Sequence, residues 1–131
     1  MTTNEPKNDL FGDVIYQYTR AQAIDDGVLI DVTETAREAG ISFPTATTAA
    51  VWAQCVTVPE KAAWQDEMGR LWDVLTMLRY AIAHSKATQE LAFSVAVQND
   101  ARSPRRIQLK ALCGPGDEGE PVITIMMPDE D

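Results

Sequence analysis

Histidine and cysteine are nearly absent from this chain, and with them goes most of the chemistry that side chains carry unaided. One histidine, His84, and two cysteines, Cys55 and Cys113, stand among 131 residues. Zinc sites need three or four Cys, His or carboxylate ligands at short spacings, and there is neither a C-x-x-C pair nor an H-x-x-x-H. The cysteines are too few and too far apart for a disulfide framework, so both read as small buried hydrophobes of a reducing compartment. Basic residues are also short: 11 Lys and Arg face 20 Asp and Glu, a formal charge of -9. That balance argues against a direct grip on a nucleic-acid backbone, which needs cations to displace counterions from phosphates. Long hydrophobic runs are missing too. No stretch approaches the ~20 apolar residues that span a bilayer, and residues 1–9 have no apolar core of a signal peptide. The expectation is a soluble cytoplasmic protein with no membrane association.

What is present is an ordinary globular composition, 45% hydrophobic, on a length that suits one domain. The division expected is a flexible N-terminus over 1–9, a single α+β domain over 10–128 and an acidic tail over 129–131. Thr19 is placed to cap a short helix over 20–26 stopped by Gly27. A β-branched run at 28–32 reads as an extra short strand, and Thr33 can cap a helix over 34–39. After Pro44, Thr45 or Thr47 can cap a third helix through Cys55. The longest helix is expected over about 64–85, with Met68, Leu71, Trp72, Leu75, Leu78 and Ile82 as one buried stripe and an Asp66–Arg70 pair on the opposite side. The period then changes to two. Leu91, Phe93, Val95 and Val97 form one half-buried strand and Ile107, Leu109, Ala111 and Cys113 a second. A last strand from Val122 is apolar on both faces, which suits a covered, central position. The fold expected is therefore α+β: a helical N-terminal two-thirds packed on a C-terminal antiparallel three-stranded meander.

Each candidate site has a plainer counterpart. His84 lies at a helix end, where a histidine interacts with free carbonyls more often than it catalyses. The Gly114–Gly119 segment is rich in glycine but has no P-loop lysine, and its acids would repel phosphate, so it reads as a tight turn. No catalytic residue, cofactor site or metal site is assigned. Arg102, Arg105, Arg106 and Lys110 crowd one hairpin; they read as edge charges that block sheet pairing, or as a contact for an acidic partner or a nucleic-acid strand. The tail acids Asp129, Glu130 and Asp131 read as solubilising, or as a negatively charged docking strip, and the partner-binding acids expected are these with Asp117, Glu118 and Glu120 of the turn. Tyr16, Tyr18, Arg20 and Trp72 are the expected lining of a pocket between the long helix and the sheet.

Two blocks are more specific. The run Asp9-Leu10-Phe11-Gly12-Asp13-Val14-Ile15-Tyr16, leading into Tyr18-Thr19-Arg20-Ala21-Gln22-Ala23-Ile24-Asp25-Asp26-Gly27, is one. The other is Cys113-Gly114-Pro115-Gly116-Asp117 through Ile123-Thr124-Ile125. With Gln65-Asp66-Glu67 and Gly69-Arg70-Leu71-Trp72-Asp73-Val74-Leu75 between them, they make the chain resemble a family of small acidic bacterial proteins of unknown function. That family is met on plasmids, phages and integrated mobile elements. The resemblance implies a gene that travels with mobile DNA, and it transfers no catalytic residue.

The function expected from this is a non-enzymatic protein-binding factor of a mobile element. In its narrower form it is an acidic inhibitor of a host nucleic-acid-dependent defence system, of anti-CRISPR or anti-restriction type. Carboxylates would stand in for phosphates in a partner's basic groove, with steering that fades as salt rises. The alternatives are a small-ligand-binding protein or enzyme that uses a helix–sheet pocket, and a structural or regulatory subunit of a plasmid apparatus.

Overall fold

The structure, a computed structural model, describes residues 18–86 and 88–131. The expected flexible segment over 1–9 and the pocket candidate Tyr16 lie outside them. Among the described residues the chain runs through α1 (Arg20–Asp25), β1 (Leu29–Asp31), α2 (Thr33–Glu38), β2 (Thr45–Thr48), α3 (Ala49–Val51) continued by a π-helical turn (Trp52–Val56), a 3-10 turn (Glu60–Ala62), α4 (Glu67–Ala83), β3 (Glu90–Val97), β4 (Arg105–Pro115) and β5 (Pro121–Met126).

The five strands form one mixed sheet in the order β1-β2-β5-β4-β3. Neighbours are antiparallel except β2 and β5, which run parallel with Thr45 opposite Ile123 and Thr47 opposite Ile125. This overturns the expected helical two-thirds on a three-stranded meander. The N-terminal half supplies two strands of its own, and β2 occupies residues that read as the caps of a third helix. The cause is lateral pairing. Thr45, Ala46 and Thr47 are fully buried between β1 and β5, where threonine's branched Cβ suits a pleated surface. The helix begins only at Ala49, with the Thr48 hydroxyl accepting from the Val51 N–H. β5, apolar on both faces, is the central strand.

The local signals at α1 are fulfilled by a reciprocal cap. The Thr19 hydroxyl accepts from the Gln22 N–H, and the Gln22 side chain accepts from the Thr19 N–H, leaving two fewer unpaired donors at the helix start. Gly27 follows at φ 79°, a left-handed conformation open to glycine at no steric cost.

The core lies on one face of the sheet. α4 supplies Leu71, Val74, Leu75 and Leu78, and the sheet answers with Phe93, Val95, Val97, Leu109, Ala111, Ile123 and Ile125; Val32, Ala36, Val51, Cys55 and Val56 close it from the side. The alternation read in β3 and β4 therefore points its odd-numbered residues inward. α4 is shorter than expected and differently turned. Its cap is Asp66, whose carboxylate accepts from the Gly69 N–H at 2.6 Å. Met68, Trp72 and Ile82, expected in the buried stripe, are 60%, 42% and 42% exposed, and the buried row runs instead through residues 70, 71, 74, 75 and 78.

Candidate functional site

Arg70 is buried although it was expected on the solvent side of α4 paired with Asp66. Its guanidinium is held by neutral oxygens from three separated segments. Nε donates to the Cys55 carbonyl at 3.0 Å, Nη1 to the Gln98 carbonyl at 3.1 Å and the Gln65 side chain at 3.2 Å, and Nη2 to Asn99 Oδ1 at 2.8 Å. The Cys55 carbonyl is available because it lies in the last turn of the helical segment that ends at Val56, where carbonyls have no intrahelical donor. Burial pulls the Arg70 guanidinium below its ordinary pKa, against the opposing pull of Cys55 and Asp73. Burial pushes the Cys55 thiol up to about 11, so it is protonated and inert at neutral pH. This node ties the π-helical turn and the β3–β4 loop to α4. A cleft of about 500 Å³ opens beside it, edged by Trp64, Asp66 and Asp73, but Arg70's bonds are already spent on the protein.

The outer surface of α4 is less ordinary. Met68, Trp72, Thr76, Tyr80 and His84 follow one another at four-residue spacing, the row that forms a packing ridge on a helix. Tyr80 is 59% exposed, and Trp64, just ahead of the helix, is 62% exposed. His84 stacks on Tyr80 with ring centroids 4.1 Å apart. Its Nδ1 lies 2.8 Å from the Tyr80 carbonyl, a position that calls for the proton on Nδ1 and gives the ring the carbonyl-satisfying role expected at a helix end. Asp66, Glu67 and Asp73 are exposed along the same element. Beyond the inner face, the end of α4, the sheet and the segment 40–43 line an apolar pocket of about 360 Å³, open to solvent on one side, whose lining includes Leu78, Ile82, Leu91, Ala111, Cys113 and Lys86.

The acids expected to bind a partner lie in two groups. Asp117, Glu118 and Glu120 sit in the β4–β5 turn, and Asp129, Glu130 and Asp131 follow the other end of β5. Six residues of strand at ~3.4 Å each separate the groups by roughly 17 Å or more. Several of these carboxylates also have structural tasks. Asp117 accepts the Arg20 N–H at 2.7 Å and the Ala21 N–H at 3.0 Å, capping α1 from a distance in sequence. Glu120 accepts the Glu118 N–H within the turn, and Glu130 accepts the Thr48 hydroxyl and the Met127 N–H.

The basic residues are likewise divided. Arg106 and Lys110 lie on the sheet face away from the core, where Arg106 donates to Ser94 Oγ at 2.9 Å, whereas Arg105 alternates to the other face and Arg102 belongs to the β3–β4 loop. The described pocket candidates, Tyr18, Arg20 and Trp72, are separated as well. Tyr18 is exposed and its hydroxyl donates to Asp26 at 2.8 Å. Arg20 crosses the sheet face opposite α4 to donate to Thr124 Oγ1 at 2.7 Å and the Ile123 carbonyl at 2.9 Å. Trp72 is on α4, across the sheet from it. A helix–sheet pocket exists, but with another lining. Trp64, Tyr80 and the pocket residues Leu78, Leu91 and Cys113 carried no functional signal in the sequence, because exposure and enclosure are set by how α4 is rotated.

Asp117 gives a pH test. The Ala21 and Arg20 N–H groups, with the Arg20 charge behind them, hold its carboxyl below the usual carboxylate range. A depressed native pKa contributes stability that is fully present above the unfolded value of ~3.9 and is lost as pH falls through the native value. Asp117→Asn should therefore be less stable than wild type by a constant margin above about pH 5, and that margin should shrink below about pH 4. Chemical denaturation from about pH 2.5 to about pH 7, which brackets the carboxylate values of ~3.9–4.3, reads it. A margin that does not change with pH would show that the cap does not depend on the charge.

The fold and these surfaces define an α+β protein with a helix on one face of a mixed five-stranded sheet, an aromatic outer ridge and an apolar pocket open to solvent at one end. The chain belongs to a family of unknown function, DUF6573, which it matches over residues 8–131. No curated protein and no solved structure matches it. Among the described residues, no group of three or more His, Cys, Asp or Glu could hold a metal ion, and no helix is long and apolar enough to cross a membrane.

Proposed function

We propose that the protein is a non-enzymatic protein-binding factor whose contact surface is the outer ridge of α4. The observation that carries this is the Met68-Trp72-Thr76-Tyr80-His84 row, with Trp64 beside its start. Aromatic residues and methionine are enriched in the cores of protein interfaces, and a ridge at this spacing packs into a groove of matching pitch. The net charge of -9 and the exposed Asp66, Glu67 and Asp73 suit a partner whose apolar groove has a basic rim.

The narrower reading is the acidic inhibitor of a nucleic-acid-dependent defence system, in the mobile-element setting that the family resemblance implies. It rests on the overall charge, with the ridge as anchor. Nucleic acid should then compete with the protein for its partner, and association should slow as salt rises.

The test is capture of a binding partner by wild type, by a ridge variant (Trp72→Ala with Tyr80→Ala) and by a turn variant (Asp117→Asn, Glu118→Gln, Glu120→Gln). Truncating a central aromatic anchor costs about 2 kcal/mol or more, roughly 30-fold in Kd. The expected result is a partner retained by the turn variant, with a slower on-rate, and lost by the ridge variant. A partner held equally by wild type and the ridge variant would remove α4 as the contact surface. Loss of competition by nucleic acid, with binding intact, would remove the defence-inhibitor reading and leave the binding factor.

A further inference from the structure

A separate feature, independent of the ridge, is the pocket between the end of α4 and the sheet. Leu78 and Ile82 form one wall, Leu91 and Ala111 the opposite one, and Cys113 lies at the β4 end. Its volume of about 360 Å³ falls in the range of small-molecule sites, which runs from ~300 to 1,000 Å³ and combines apolar walls with a few orienting polar groups. Most of the polar groups here lie on the segment that leaves α4, with Ser42 on the segment ahead of β2, and Lys86 is the one charged residue in the lining. In a molecule with nearly twice as many acids as bases, a cation at the margin of its apolar pocket selects the sign of what enters.

We infer that this pocket binds a small amphiphile with an apolar body and a single anionic end, of the monocarboxylate class. The body lies between α4 and the sheet, and the carboxylate reaches the Lys86 ammonium. Leu78 is fully buried whereas Ile82, one turn on, is 42% exposed, so the wall grades from core to solvent and the ligand enters from the Ile82 side. An uncharged analogue gains the same apolar contact without the ion pair. A cationic analogue meets Lys86 with like charge.

The probe is decanoate, compared with decanol and decyltrimethylammonium, on the full chain. Cys113 is half-buried and serves as reporter, while Cys55 is buried and protonated and serves as the internal control for folding. Decanoate should slow alkylation of Cys113 by N-ethylmaleimide and leave Cys55 unmodified throughout. Methyl resonances of Leu78, Leu91 and Ile123 should shift on titration. Lys86→Glu, at an exposed position, should weaken decanoate about fivefold, the scale of one surface ion pair, and leave decanol unchanged. Cys113→Trp should fill the pocket and abolish the shifts. If that variant fails to fold, protection of Cys113 in the wild type decides the matter alone. Absence of both protection and pocket shifts at the solubility limit of decanoate would overturn the site. So would shifts confined to the outer surface of α4. Equal binding of the anionic and cationic amphiphiles, unmoved by Lys86→Glu, would overturn the anionic selection.

Discussion

Replacing Arg70 with alanine is expected to destabilise the protein by about 2–4 kcal/mol, because it strips donors from several acceptors at once. The Cys55 carbonyl lies at the end of its helical segment and takes its bond from Nε, and Asn99 Oδ1 takes its bond from Nη2. The Gln98 carbonyl is spared in part, since the Gln65 side chain also donates to it at 2.7 Å. The more telling variant is Arg70→Lys. A lysine keeps the charge and much of the stem but cannot present the planar fork that reaches a carbonyl on one side and an amide oxygen on the other. It should recover little of the loss. Urea denaturation with the slope compared between variants reads the result. An Arg70→Lys protein within about 0.5 kcal/mol of wild type would show that charge alone, and not the fork, holds the three segments together.

Leu75→Ala should cost about 2–5 kcal/mol, the loss of buried methyl groups together with the cavity they leave. Leu75 is completely buried between α4 and the sheet. Leu75→Met keeps the volume and should cost less than about 1.5 kcal/mol. Trp72, three residues earlier and larger, belongs to the same apolar periodicity in the sequence yet lies 42% exposed. Trp72→Ala should therefore stay within about 0.5–1 kcal/mol of wild type, while it abolishes partner binding if the ridge is the contact surface. Thermal or urea unfolding of the two alanine variants side by side separates these expectations. A Trp72→Ala loss as large as that of Leu75→Ala would place Trp72 in the core and remove it from the surface.

The elements that were legible in the sequence are those whose pattern repeats over many residues. Four turns of apolar spacing announced α4, and two alternating runs announced β3 and β4. Apolar character on both faces announced that β5 is covered. β2 was not legible, because four small residues carry no period and threonine serves caps and strands equally. Its identity as a strand comes from β1 and β5 on either side, not from Thr45 to Thr48 themselves. Arg70 was misread for a related reason. Its partners at 55, 98 and 99 are distant in sequence, and of its near neighbours the helical spacing pointed to Asp66, whose carboxylate is occupied with the Gly69 N–H, rather than to Gln65, which does accept from it. Rotation of α4 by one row about its axis was invisible too, since Leu71-Leu75-Leu78 and Met68-Trp72 fit the same spacing. That single ambiguity hid both the ridge and the pocket.

The position of β5 has a consequence for the way the chain comes into being. It is the last of the five strands in chain order, yet it lies in the middle of the sheet, between β2 and β4. A nascent chain emerging residue by residue can pair β1 with β2 and β3 with β4, but it cannot join the two pairs until Pro121–Met126 arrives. Until then β2 and β4 each present an open edge to whatever is nearby, and the apolar rows beneath α4 are covered only in part. The keystone is laid last, so a message truncated before Pro121 yields two unjoined half-sheets and a substrate for chaperones and proteases.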